Sequence, residues 1–296
     1  MPNPYIFKTR ALGPNAKNST LTFDELDNSL LFLSSSIGTL NGSNSFFVQA
    51  NGTPLQNGYS LIDSYNTAKS TFPTGSNRYA VLLGPGNYEF TQSFNINTPY
   101  IDVVSLTGYK DVYITGSNTI QVSADNVYVR GIDVGSKNFT ITSSLPNTIF
   151  KNCKGGDSSF GGSISSSPYI ISSTFIDCEG GSNSFTGEFG TAEGTFTNCI
   201  GGNNSFGFDC DGIFNNCQGG DFSFGGLVGT IEADCLIKDC IGGSSSFSPN
   251  GFIDGILQNC TLILGDFTPH ILALSFSGKI IDCKGNPDNF ITNDLI

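Results

Sequence analysis

Apolar and polar positions in this chain recur in a block of fixed length. Between residues 150 and 290 one eleven-residue pattern appears seven times: an apolar residue, a variable one, Asn or Asp, Cys, usually a Gly pair, and a Phe seven places after the Cys. FKNCKGGDSSF (150–160), FIDCEGGSNSF (175–185), FTNCIGGNNSF (196–206) and FNNCQGGDFSF (214–224) are the fullest copies. IKDCIGGSSSF (237–247), LQNCTLILGDF (257–267) and IIDCKGNPDNF (280–290) are degraded ones. The Cys residues lie 25, 21, 18, 23, 20 and 23 positions apart, and all of the drift falls between blocks. Helical repeats hold their length, whereas a coil of short strands tolerates insertion at one turn. The pattern predicts an all-β parallel β-helix, a solenoid with rungs of about 22 residues stacked about 4.8 Å apart.

Each column of the block then has a physical task. Phe150, Phe175, Phe196, Phe214, Ile237, Leu257 and Ile280 are expected to point inward and stack. Phe160, Phe185, Phe206, Phe224, Phe247, Phe267 and Phe290 are expected to form a second stack. The Gly pairs suit a corner that needs φ > 0 or close backbone approach. Asn152, Asp177, Asn198, Asn216, Asp239, Asn259 and Asp282 form a structural ladder, since Asn and Asp tolerate a left-handed bend and Asn amides hydrogen-bond along a stack. No two Asp occupy consecutive rungs of that column, which avoids stacked like charges.

The remaining chain divides by pattern. Residues 1–40 hold a polar, Pro-containing arm and the segment TLTFDELDNSLLFLSSSI, where Thr22 and Glu25 make a capping box. Phe23, Leu26, Leu30, Leu33 and Ile37 share one face of that short helix, which is marginal alone and is read as a docking element. Residues 41–78 read as a linker with a short strand, Ser45–Gln49, and a second helix over 60–70 that covers the first rung. Strand-like runs from Tyr79 supply about three β-branched rungs before the Cys blocks, so the β-helix occupies 79–296.

Composition narrows the function. Only 13% of residues are charged and the net charge is −12, which argues against a nucleic-acid partner. From Gly155 to Ile237 there are ten acids and no Lys or Arg. Nine Cys, without a CxxC pair or a His-rich set, read as small buried hydrophobes, and no metal or other cofactor is expected. No signal peptide and no 18-residue apolar run is present, so synthesis in a reducing cytoplasm without membrane insertion is expected.

Two stretches resemble known families. VLLGPGNYEFTQSFNI (81–96) and the F-x-N-C rungs resemble pectate-lyase-like right-handed parallel β-helices, a likeness that covers roughly residues 60–296. LTFDELDNSLLFL (21–33) resembles a short element near the start of tail-fibre and other virion proteins of tailed bacteriophages. Together these imply a structural virion component, a tail fibre, tailspike or decoration protein, made in the host cytoplasm and located in the virion. They imply contacts with other virion proteins through the N-terminal segment, a host-surface polysaccharide as a target, and a homotrimer or a hetero-assembly.

The fold hosts enzymes as well as inert shafts. Glycoside hydrolysis needs two carboxyl groups roughly 5–9.5 Å apart. Glu188 with Glu193, Asp209 with Asp211, and Glu232 with Asp234 are the pairs a polysaccharide depolymerase would use. Against it stand the absence of Trp platforms, the short rungs, and the absence of any Arg near the acidic stretch. The sole His270 lies in a mixed apolar run and reads as a surface or turn residue. The sequence therefore favours a non-enzymatic shaft, with the depolymerase as the alternative and a non-viral carbohydrate-binding β-helix as a second one.

Overall fold

The computed structural model describes residues 44–142, 144–161, 170–186, 190–226, 229–247, 252–262 and 278–284. Among these residues the chain is a parallel β-solenoid with a single helix. Its longest sheet has eleven strands, running from Ser45–Val48 through Tyr79–Leu83, Ile101–Ser105 and Tyr128–Arg130 to Lys279–Ile281. The register is the one the blocks demand. Phe150 lies against Phe175, Phe175 against Phe196, and Phe196 against Phe214. Phe214 then meets Ile237, Ile237 meets Leu257, and Leu257 meets Ile280. A second face starts as Gly86–Glu89, Val112–Thr115 and Ile132–Asp133, then continues as single bridges joining Asp133, Lys154, Glu179, Ile200, Gln218 and Ile241. A third face contains Ile170–Ile171, Thr191–Ala192, Asp209–Cys210, Thr230–Ile231 and Phe252–Ile253.

The core consists of two interlocked aromatic columns. Rings of Phe150, Phe175, Phe196 and Phe214 stack with centroids 5.2, 5.1 and 4.8 Å apart. Phe160, Phe185, Phe206, Phe224 and Phe247 stack at 5.2, 4.8, 4.7 and 5.2 Å, and Phe139 extends that column by one rung. The columns meet edge to face, as between Phe196 and Phe206 at 87°. Offset stacking within a column and edge contacts between columns are the two arrangements the ring quadrupole favours.

Three residues per block take left-handed backbone. The Asn/Asp column has φ of 51–55°, Ser158, Asn183, Asn204, Phe222 and Ser245 have 54–58°, and the second Phe column has 55–64°. The Gly pairs take none of these bends, so of their two expected uses, φ > 0 or close approach, the first does not apply. They serve close approach instead. A Cβ on Gly201 would lie 2.5 Å from Cβ of Ser205 and 3.1 Å from the Phe206 ring. Ser159, Ser184, Ser205, Ser223 and Ser246 form a fully buried column against the first Gly of each pair.

The N-terminal end of the stack is closed by helix α1, Pro54–Ser70. It begins earlier than residue 60 because Thr53 and Gln56 form a reciprocal capping box with Pro54 in the first turn. Leu61, Tyr65 and Ala68 are buried. The Tyr65 hydroxyl accepts from N–H of Asn97 and Thr98 at 2.9 and 3.0 Å, and Asn57 Nδ2 donates to the Asn87 carbonyl at 2.8 Å. These bonds satisfy polar groups that an open first rung would leave unpaired. The proposed docking residues Phe23, Leu26, Leu30, Leu33 and Ile37 lie outside the described residues, as do Phe267, His270 and Phe290.

Candidate functional site

The chemistry-bearing side chains gather along a corner of the third face. Ala192, Cys210, Ile231 and Ile253 stack through strand pairing. The residue after each of them is acidic: Glu193, Asp211, Glu232 and Asp254. Their N–H groups donate to the carbonyls of Ile171, Ala192, Cys210 and Ile231 at 2.8, 2.9, 2.8 and 2.8 Å. Four carboxyl groups thus occupy one column on consecutive rungs.

Of the expected carboxyl pairs, Asp209 with Asp211 and Glu232 with Asp234 lie wholly among the described residues. Asp209 and Asp211 flank the buried Cys210, and Asp209 Oδ1 accepts from the Thr230 N–H at 2.9 Å. Asp211 has Glu193 and Glu232 as its neighbours in the column. Asp234 sits in an enlarged turn with Ala233, where the other rungs turn at Gly194, Gly212 and Gly255. Glu188 lies outside the described residues. Asp254 went unrecognised in the sequence, although the recurring acid–Gly pairs 193–194, 211–212 and 254–255 carry its signal.

The column has an electrostatic consequence. Partial burial, then the charges of Asp211, Asp209 and Asp254, push the Glu232 carboxyl above its ordinary range. Among the described residues no group of three or more His, Cys, Asp or Glu is disposed to hold a metal ion.

The Asn/Asp ladder occupies a different corner and is built in short runs. Asn198 Nδ2 donates to Asp177 Oδ1 at 3.0 Å and Asn216 Nδ2 to Asn198 Oδ1 at 2.9 Å. Asn259 Nδ2 donates to Asp239 Oδ1 at 2.6 Å. Every amide donates toward the N-terminal end. An ionised Asp has no donor, so Asp177 and Asp239 each begin a new run. Asn152 finds another partner, the Gly108 carbonyl at 2.7 Å, supplied by the turn Thr107–Asp111. The same turn carries Lys110, whose ammonium pairs with Glu179, while Lys154 Nζ lies 3.4 Å from the other Glu179 oxygen. Burial opposes ionisation of Glu179, but Lys110 and then Lys154 outweigh it and hold the carboxyl below its ordinary range.

The Cys column is structural in its geometry. Sγ of Cys178, Cys199, Cys217 and Cys240 lies 3.4, 3.5, 3.4 and 3.5 Å from the carbonyl of Phe150, Phe175, Phe196 and Phe214, one rung back. All nine thiols are free and all but Cys283 are buried. Burial pushes the thiols of Cys153, Cys178, Cys199, Cys210 and Cys217 well up, so they remain protonated and unreactive.

No protein-family model matches this chain, no curated protein is similar to it, and no solved structure matches it.

Proposed function

We propose that this chain is a structural component of a tailed-bacteriophage particle, a tail fibre, tailspike or decoration protein that contributes to attachment at a host-surface glycan. The observation that supports this reading is the closure of the first rung by α1 and the strand Ser45–Val48. The amphipathic stripe Phe23, Leu26, Leu30, Leu33 and Ile37, read from the sequence, suits docking to another virion protein. Deleting residues 1–40 tests it. The remaining chain should melt cooperatively as before and be missing from assembled particles. Normal incorporation of the truncated chain would defeat the docking role.

A second reading is favoured by one observation, the raised carboxyl of Glu232 beside Asp211. A carboxyl group held protonated beside a second carboxyl group is what a glycosidase uses as its acid. In that reading Glu232 protonates the glycosidic oxygen and Asp211 acts as nucleophile or base. Wild-type protein should then lower the viscosity of host polysaccharide and Glu232→Gln should not. Unchanged viscosity with the wild-type chain would remove the depolymerase reading and leave the attachment reading intact.

A further inference from the structure

One corner column is interrupted by a side chain that does not belong to its chemistry. Ser158, Asn183, Asn204, Phe222 and Ser245 occupy the same position on five consecutive rungs. Their stacking is fixed by backbone bonds: Asn204 N–H donates to the Asp221 carbonyl and Phe222 N–H to the Ser244 carbonyl, both at 2.8 Å. All five have left-handed backbone. Asn and Ser tolerate that bend through their short polar side chains; a bulky aromatic does so only against steric cost.

The left-handed Phe residues of the second ring column recover that cost inside the core, while Phe72, which follows the C-cap of α1, has the same bend and is exposed. Phe160, Phe185, Phe206, Phe224 and Phe247 are at most 1% exposed and stack on one another. Phe222 is 41% exposed, and its ring meets no other ring among the described residues. A strained, half-exposed aromatic flanked by Asn204 on one rung and Ser245 on the next is poorly explained by folding alone.

We propose that Phe222 is the stacking platform of a saccharide subsite that takes the apolar face of a neutral pyranose ring. Asn204 and Ser245 flank the ring on the adjacent rungs and supply hydrogen-bond partners for the sugar hydroxyls. An aromatic surface beside a few convergent polar groups is the usual composition of a small-molecule site. Charge selects the sugar. No Lys or Arg occurs between Gly155 and Ile237, while ten acids do, so a uronic acid or other anionic sugar is disfavoured. The subsite rests on the glycan-attachment reading above and gives it a location.

The test uses the full 296-residue chain and saturation-transfer NMR with the methyl pyranosides of glucose, galactose, mannose, N-acetylglucosamine and glucuronic acid. Transfer to ring protons of at least one neutral sugar, and not to the glucuronide, is expected. Phe222→Tyr keeps the platform and should retain binding. Phe222→Leu keeps apolar bulk, loses the aromatic face and should weaken binding roughly tenfold. Cooperative melting of both variants confirms that they fold. Undiminished binding by Phe222→Leu overturns this subsite and spares the attachment reading. A wild-type chain that binds no sugar overturns the subsite and the glycan part of that reading together. Preference for the glucuronide overturns the assignment to neutral sugars.

Discussion

Asn216 and Asp239 occupy the same ladder position on neighbouring rungs, and no hydrogen bond joins their side chains. Asn216 donates back to Asn198, while Asp239 only accepts, from Asn259. The chain places an acceptor against an acceptor there. Replacing Asp239 by Asn supplies the missing donor, keeps the bond from Asn259, and suits the left-handed bend equally well. Asp239→Asn should stabilise the solenoid by about 1 kcal/mol, or roughly 2–4 °C in melting temperature. A lower melting temperature would mean that the interruption is not a defect in the ladder.

The reverse experiment removes a working rung. Asn198→Leu deletes the bonds to Asp177 and from Asn216 and forces a branched apolar side chain into φ near 54°. A loss of roughly 1–3 kcal/mol is expected, read by thermal or urea unfolding. An unchanged midpoint would count against the ladder.

Gly201 tests the close approach at the block corner. Alanine there drives a methyl into Ser205 and the Phe206 ring, both fully buried and held by neighbouring rungs. Overpacking of this kind costs typically about 1–3 kcal/mol. Gly201→Ala should fall in that range. A neutral substitution would show that the corner has slack and that the Gly pair serves some other purpose.

Glu232 makes a prediction with a definite pH dependence. Its carboxyl is raised in the folded protein, so ionisation opposes folding once the pH passes above its ordinary range. Below that range the group is protonated in folded and unfolded chains alike, and the penalty vanishes. Glu232→Gln should therefore raise the melting temperature at pH 7 and have no effect near pH 3. The group is mostly exposed, so the gain at pH 7 should be small, on the order of 1–2 °C. A gain that persists at pH 3 would point to packing rather than charge.

The thiols offer a direct readout of the stack. Cys283 is the one Cys that is not buried, and hydrogen bonds from Cys260 lower its thiol to about 7. Alkylation by iodoacetamide should be fastest at Cys283 and accelerate as the pH rises through about 7. The buried column should react only after unfolding. Mass mapping of the first alkylated site decides it.

The sequence carried the register, because the block length never varies: each Cys sits three residues after the stacked apolar position on every rung. It also carried the two Phe columns and the left-handed Asn/Asp corner. It carried the acidic column only in part. Glu193, Asp211 and Asp254 each precede a Gly and stand six residues before a block Cys, a signal that was overlooked, whereas Glu232 is displaced by the enlarged turn and only the strand pairing of Cys210 with Ile231 brings it into the column. Nor did it carry the left-handed backbone of Phe160 or Phe222, which local preference opposes and stacking between rungs imposes. The Gly pairs left two uses open, φ > 0 or close approach, and here small size is what matters. The start of α1 was missed because Thr53, Pro54 and Gln56 fall in a stretch of turn-like residues.

In-register stacking makes the rung a unit of length. Each block repeats its own corner geometry, its own thiol contact to the rung before it, and its own place in both ring columns. A duplicated rung spliced between two blocks would find every one of these contacts already in place on both sides. The molecule can therefore be lengthened or shortened in steps of about 4.8 Å without redesigning its interior. Closure by α1 confines such growth to the interior and the far end, so reach is set by how many rungs are counted out after a fixed beginning.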